Sequence, residues 1–282
     1  DGMTKRLDSP LEIAQTLQIL SPQPPKPSGR KHELTCTIAK QYADTLGIPT
    51  IEPTDLNDPR LFNYLLSLKP DLMLVAAYGR LIPENLYTIP THGTLNIHPS
   101  LLPKYRGATP IQAAILHGDT QTGVTIMKLA PQFDTGDILA MATYDLTGEE
   151  TYGDLEYDLA DLSGEVIKEI LPAYLDGKLE AMPQNHAKAI SAPKIQLEDR
   201  WLNPSDSDMT NERKVRAFAP EPNAFVILDG AMVKVLSAHL ENGNLVFDLV
   251  QPAGKKPMAW EDFRRGYRKE LHFEPYESIL SR

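Results

Sequence analysis

The sequence predicts an α/β domain built on a mostly parallel sheet, followed by a small β-rich domain. Three observations carry this reading. Strand-length apolar runs alternate with helical patterns through the first 180 residues. The run Asp71 to Tyr78 (DLMLVAAY) is continuously apolar, as expected for a strand covered on both faces. Composition then shifts: residues 183–212 are rich in Pro, Asn, Ser and Asp with little periodicity, and short β-prone pieces follow. The division expected is a first domain over 1–182, a linker over 183–212 and a second domain over 213–282.

Taken in order, Thr37 to Leu46 places Ile38, Tyr42 and Leu46 on one helical stripe. Pro49 to Glu52 reads as a short strand, and Pro59 to Leu68 repeats the helical spacing through Leu61, Leu65 and Leu68. Strands are expected at Asp71 to Tyr78 and Gly93 to His98. Thr109 to His117 is a helix with Pro110 early in it and Gly118 just past its end. Two strands, Thr122 to Leu129 and Ile138 to Leu146, precede a long amphipathic helix over Glu149 to Leu175 that ends near Gly177. In the second domain the strand candidates are Ala224 to Leu228, Ala231 to Ser237 and Asn244 to Val250. No internal repeat is present.

Composition bounds the function. With 41% hydrophobic and 23% charged residues, the chain reads as a soluble globular protein. A net charge of −10 argues against nonspecific coating of nucleic acid, though two local basic patches stand out, Lys26 to His32 and Lys255 to Lys269. The single cysteine, Cys36, cannot form an internal disulfide and is expected to be an unreactive thiol in a reducing cytoplasm. No export signal and no apolar run of membrane-spanning length is found. Phosphate-binding glycine loops and HExxH or CxxC metal spacings are absent, so chemistry without a metal or redox cofactor is expected.

The chemistry-bearing segment is Asn96-Ile97-His98-Pro99-Ser100-Leu101-Leu102-Pro103-Lys104-Tyr105-Arg106-Gly107. On a strand, residues i and i+2 share a face, so Asn96 and His98 project together where open parallel sheets place their ligands. Downstream, Phe133-Asp134-Thr135-Gly136-Asp137 supplies a carboxylate on a glycine-containing loop. An amide donor, an imidazole and a carboxylate suit acyl transfer to a neutral amine. Arg106 reads as support for this loop, and His92, His117, His186, His239 and His272 as structural or surface residues.

These segments carry a resemblance. L-N-I-H-P-S-L-L-P-K-Y-R-G-A-T-P-I-Q and T-G-V-T-I-M-K-L-A-P-Q-F-D-T-G-D-I-L resemble the two active-site segments of the methionyl-tRNA formyltransferase family. Gln23 to Lys31 is similar to that family's basic tRNA-entering loop. Val215 to Pro222 and Gln251 to Lys256 resemble its carboxyl-terminal domain. The resemblance covers roughly residues 20 to 265. It implies a Rossmann-like formyltransferase domain, an OB-like carboxyl-terminal domain and 10-formyltetrahydrofolate as formyl donor.

It also implies roles. Asn96 and His98 would donate hydrogen bonds to the tetrahedral oxyanion, a contribution of roughly 3–4 kcal/mol per donor. Asp134 would orient His98, favour its protonated form and help move the proton. Ser100, Leu101, Leu102 and Pro103, with the backbone at Arg80, Leu81 and Ile82, would contact the folate, and Gly136 would let its loop approach the pterin. Lys26, Arg30, Lys31, Lys255 and Lys256 would contact the initiator tRNA, with Arg30 leading. A cytoplasmic monomer without a membrane partner is expected.

Two departures bear on the expectation. Asp1 to Leu20 lacks the family's opening apolar strand and G-T-P-type loop, so either the start is missing or the fold compensates. The second domain is short, leaving a sheet edge that something must cover. Two other readings stay open: a formyltransferase for a sugar nucleotide or glycinamide ribonucleotide, and a catalytically weak folate- or RNA-binding relative.

Overall fold

The structure, a computed structural model, describes residues 19–20, 26–28, 33–35, 37–266 and 273–279. Cys36, His32, Arg30 and Lys31 lie outside the described residues, as do His272 and the end of the second basic patch. The chain gathers into two compact units, 1–96 and 97–282.

In the first unit, β1 (Ile19–Leu20) pairs in parallel with β4 (Thr50–Ile51), and β2 (Lys26–Ser28) pairs antiparallel with β3 (Glu33–Thr35). Lys26, expected on a loop, therefore has strand backbone. Helix α1 (Ile38–Thr45) starts where the Thr37 side chain accepts from the Lys40 N–H. Helix α2 (Pro59–Leu68) follows an Asp58 cap with proline in its first turn, where the missing N–H costs nothing. Its Leu61 and Leu65 bury against Leu56 and Leu86, and Leu86 belongs to the single-turn helix α3 (Glu84–Tyr87).

Strand β5 (Met73–Ala76) departs from expectation. Only Val75 is buried, while Leu74 is 46% exposed, so this strand is covered on one face rather than two. Strand β6 (Thr94–His98) carries the division between the units, which falls after Asn96.

The second unit continues with the two-residue strand β7 (Arg106–Gly107) and helix α4 (Pro110–His117), again with proline in its first turn and closed by Gly118 at φ 65°. Strands β8 (Gln121–Lys128) and β9 (Ile138–Asp145) form an antiparallel pair, with a register shift after Ile126. The pairing makes residues 129–137 a hairpin loop, and Asp134 sits on it. Helix α5 (Tyr152–Leu175) packs on both strands. It opens with a reciprocal cap: Asp154 N–H donates to Thr151 Oγ1, and Thr151 N–H to Asp154 Oδ2.

Residues 183–212, expected as a linker, are held by a paired strand, a buried glutamine and the start of a helix. Strand β10 (Ser191–Ala192) pairs in parallel with β7, and Gln184 is buried. Helix α6 (Asp208–Ala217) packs on α4 and on β12 (Ala231–Glu241) and β13 (Asn244–Pro252). These strands join β11 (Ala224–Leu228) and β14 (Met258–Ala259) in an antiparallel four-stranded sheet of order β11-β12-β13-β14. Helix α7 (Trp260–Arg265) follows, stacking Trp260 on Phe263 and setting Phe247 edge-on against Trp260.

The outer edge of β11 is the edge that needed cover. Trp201 bridges to Phe225 and Phe273 to Leu228, with N–H donors from Leu202 and Glu274 to the carbonyls of Phe225 and Ile227. Cover on both edges accounts for all five β11 residues being buried.

Candidate active site

Strand β6 ends at His98, and the chain turns back on itself at once. Ser100 N–H donates to the His98 carbonyl at 2.9 Å, and Ser100 Oγ to the Lys104 carbonyl at 2.6 Å. Thr125 on β8 pins this loop from the side: its hydroxyl donates to the Ser100 carbonyl at 2.6 Å and accepts from Leu102 N–H at 3.1 Å. Leu102 inserts among Met127 and Ile138. Of the four residues of this loop expected at the folate, Ser100 and Leu102 thus have buried side chains already engaged, and Leu101 and Pro103 are partly exposed.

The turn brings the Tyr105 carbonyl to 2.9 Å from His98 Nε2. A carbonyl only accepts, so Nε2 carries the proton. Nδ1 faces Asp134 Oδ1 at 3.5 Å, with both side chains nearly buried. The two contacts hold the ring from both sides. The direct donation from His98 to an oxyanion expected from sequence meets a ring whose two nitrogens both have partners.

Asp134 is placed by backbone. Its φ is 54°, in the left-handed region. Its second oxygen, Oδ2, accepts from Gly107 N–H at 2.8 Å. Gly107 itself has no room for a side chain: a Cβ would lie 2.5 Å from the Ala192 carbonyl oxygen, at φ 123°. Gly136 is under the same constraint, its Cβ position being 1.8 Å from the Lys128 carbonyl oxygen. The structure seats this glycine closely against strand β8.

Three partners here carry no signal in the sequence pattern. Gln184 donates to the carbonyls of Asp134 and Gly136 and accepts from Arg106. Arg106 also donates to His186 Nδ1 at 3.0 Å, so His186 has a partner that the sequence reading did not give it. Asp119 accepts from both Tyr105 Oη and Lys104 Nζ, at 2.7 and 2.6 Å. Burial and that hydrogen bond push the Tyr105 phenol well above its ordinary value.

Asn96 is two residues before His98 on β6 and half-buried. In the first unit Leu81 is 54% exposed, Arg80 is exposed with Nη2 at 3.4 Å from the Thr54 carbonyl, and Ile82 packs against the α2 cluster. Lys255 and Lys256 are exposed on the turn between β13 and β14, where Lys255 N–H donates to the Pro252 carbonyl. Among the described residues no group of His, Cys, Asp and Glu is arranged to hold a metal ion, and no helix is long and apolar enough to cross a membrane.

The second unit thus holds an imidazole against a carboxylate and carries a four-stranded antiparallel sheet. Residues 7–171 match the family described as "Formyl transferase", and residues 194–245 match "Formyl transferase, C-terminal domain". The methionyl-tRNA formyltransferase of Myxococcus xanthus (strain DK1622) is 38% identical over 287 residues, covering 94% of this chain and 92% of that protein. This chain belongs to the methionyl-tRNA formyltransferase family. Solved structures agree in fold. HypX from Aquifex aeolicus in complex with tetrahydrofolic acid aligns at a TM-score of 0.66 and 19% identity, over 92% of this chain and 50% of that one. The methionyl-tRNA formyltransferase from Clostridium thermocellum aligns at 0.57 and 20% identity, over 76% of this chain and 92% of that one. The fold expected from sequence, a mostly parallel α/β domain with a β-rich carboxyl-terminal domain, is the fold of these enzymes.

Proposed function

We propose that this chain transfers the formyl group of 10-formyltetrahydrofolate to the α-amine of methionyl-tRNA, giving formylmethionyl-tRNA for translation initiation, as a cytoplasmic monomer. Relatives of nearly full length bearing that name support the substrate pair. The observation that carries the chemistry is the buried contact between His98 Nδ1 and Asp134 Oδ1.

The methionyl amine attacks the formyl carbon, and the carbonyl π pair moves to oxygen. Asn96, two residues before His98 on β6, donates its amide N–H to that oxyanion. His98 in its doubly protonated form supplies positive charge beside it, held by the Tyr105 carbonyl on one side and Asp134 on the other. The attacking nitrogen then loses a proton, and the folate nitrogen gains one as its bond to the formyl carbon breaks. Asp134, held against His98, takes the first proton and returns it to the folate nitrogen. Tetrahydrofolate leaves.

The test is transfer of labelled formyl from 10-formyltetrahydrofolate to methionyl-tRNA by the wild-type chain, His98→Ala and Asn96→Ala. Losses of about 10²–10³-fold in kcat are expected for each variant. Undiminished transfer in His98→Ala overturns the assignment. Turnover of an amino-sugar nucleotide with none of methionyl-tRNA moves the acceptor to that class, and folate binding without turnover makes the chain a binding relative.

A further inference from the structure

Gln184 lies outside every regular element, in a segment whose composition marks it as connecting chain, yet it is only 6% exposed. Every hydrogen-bonding direction of its amide has a taker. The nitrogen donates to the Asp134 carbonyl at 3.0 Å and to the Gly136 carbonyl at 2.7 Å. The oxygen accepts from Arg106 Nε at 3.2 Å and from Arg106 Nη2. The two carbonyls flank Thr135, at the tip of the β8–β9 loop. Arg106 precedes Gly107, whose N–H holds Asp134 Oδ2. One side chain therefore ties together the main chain that carries the carboxylate and the strand that grips it.

We propose that Gln184 is a positioning residue for formyl transfer: it fixes the loop backbone on both sides of Thr135 and so keeps the Asp134 carboxylate against His98. The inference rests on the proposed role of the His98–Asp134 pair. Loops without such a clamp relax around a left-handed residue like Asp134, and a carboxylate displaced by about 1 Å costs roughly 10²-fold in rate. Gln184 touches neither reacting atom. It acts through the loop.

Two variants of near-native shape separate its functions. Gln184→Met removes all its polar contacts. Gln184→Glu keeps an acceptor for Arg106 but presents oxygen, not N–H, to the two carbonyls. Both are expected to lower kcat by about 10–100-fold with KM for either substrate within about threefold, since the loss falls on the chemical step. The decisive comparison repeats Gln184→Met in an Asp134→Asn background. A residue acting through the carboxylate costs under about twofold more once that carboxylate is gone, whereas a merely structural residue costs the same in both backgrounds. Equal losses in the two backgrounds, wild-type kcat in both single variants, or failure of both to fold would overturn the proposal. Undiminished transfer in His98→Ala would instead strike the reading beneath it, so the two failures are distinguishable.

Discussion

The backbone N–H of Gly107 lies 2.8 Å from Oδ2 of Asp134. One carboxylate oxygen is thus committed to the main chain, and the other is left for His98. Substituting Asp134→Asn preserves this division of labour: the amide oxygen can accept from Gly107, and the amide N–H₂ then faces His98 Nδ1. That arrangement suits a neutral ring and removes the carboxylate that would carry the proton. Kcat is expected to fall by about 10²–10⁴-fold, with unfolding free energy changed by no more than about 1 kcal/mol. Parallel kinetics and urea unfolding check both; a stable variant with near-native kcat would exclude the relay.

Gly136→Ala tests the loop from the other side. A methyl group would sit 1.8 Å from the Lys128 carbonyl oxygen, so the loop must back away from β8. The expected result is a lower thermal midpoint together with a kcat loss. Gly148→Ala, where nothing lies near but φ is 91°, gives the strain-only comparison. Equal kcat in the two variants would mean that the 133–137 loop does not need its close seat on β8.

Much of this was legible in advance, and the exceptions have a common cause. The spacing of Leu61, Leu65 and Leu68, and Pro110 with Gly118, marked their helices closely because the signals are local. The meeting of His98 and Asp134 was legible because polar side chains beside apolar runs stand out. Gln184 was not, since its partners are mostly backbone carbonyls, which every residue possesses. The same holds for the Tyr105 carbonyl, whose position follows from a seven-residue return that no periodicity encodes. Leu74 failed in the opposite direction: an apolar run states what a strand tolerates, whereas exposure depends on what the rest of the fold lays over it.

Tyr105 supplies a pH dependence. Burial, and then the hydrogen bond to Asp119, raise its phenol above the ordinary value of 10.0, so the folded state holds this proton more tightly than the unfolded chain does. The stabilisation is complete below that value and is lost as pH rises through the higher folded one. Tyr105→Phe is expected to cost about 1 kcal/mol near neutral pH. It should then lose less stability than wild type above about pH 10, so the two curves converge. Curves that stay parallel would show that Asp119 does not hold the phenolic proton.

Lys255 and Lys256 are exposed on the β13–β14 turn of a chain whose net charge is −10. If they meet tRNA phosphates as the resemblance implies, replacing both by alanine raises KM for tRNA. Its dependence on salt flattens by about one unit of log–log slope for each phosphate no longer neutralised. KM for the folate and kcat at saturating tRNA stay as they were. An unchanged salt slope would remove these lysines from the tRNA-binding set.

Strand β11 also poses a problem of timing. Its five buried residues are sealed at one edge by Trp201, which precedes it in the chain, and by Phe273, which comes dozens of residues later. A ribosome adding about 5–20 residues per second makes Ala224–Leu228 several seconds before the second half of that seal exists. During that interval a wholly apolar strand has half an open flank, available to any neighbouring nascent chain. Shortening the protein just before Phe273 would make the interval permanent, and yield lost to inclusion bodies would be the expected result.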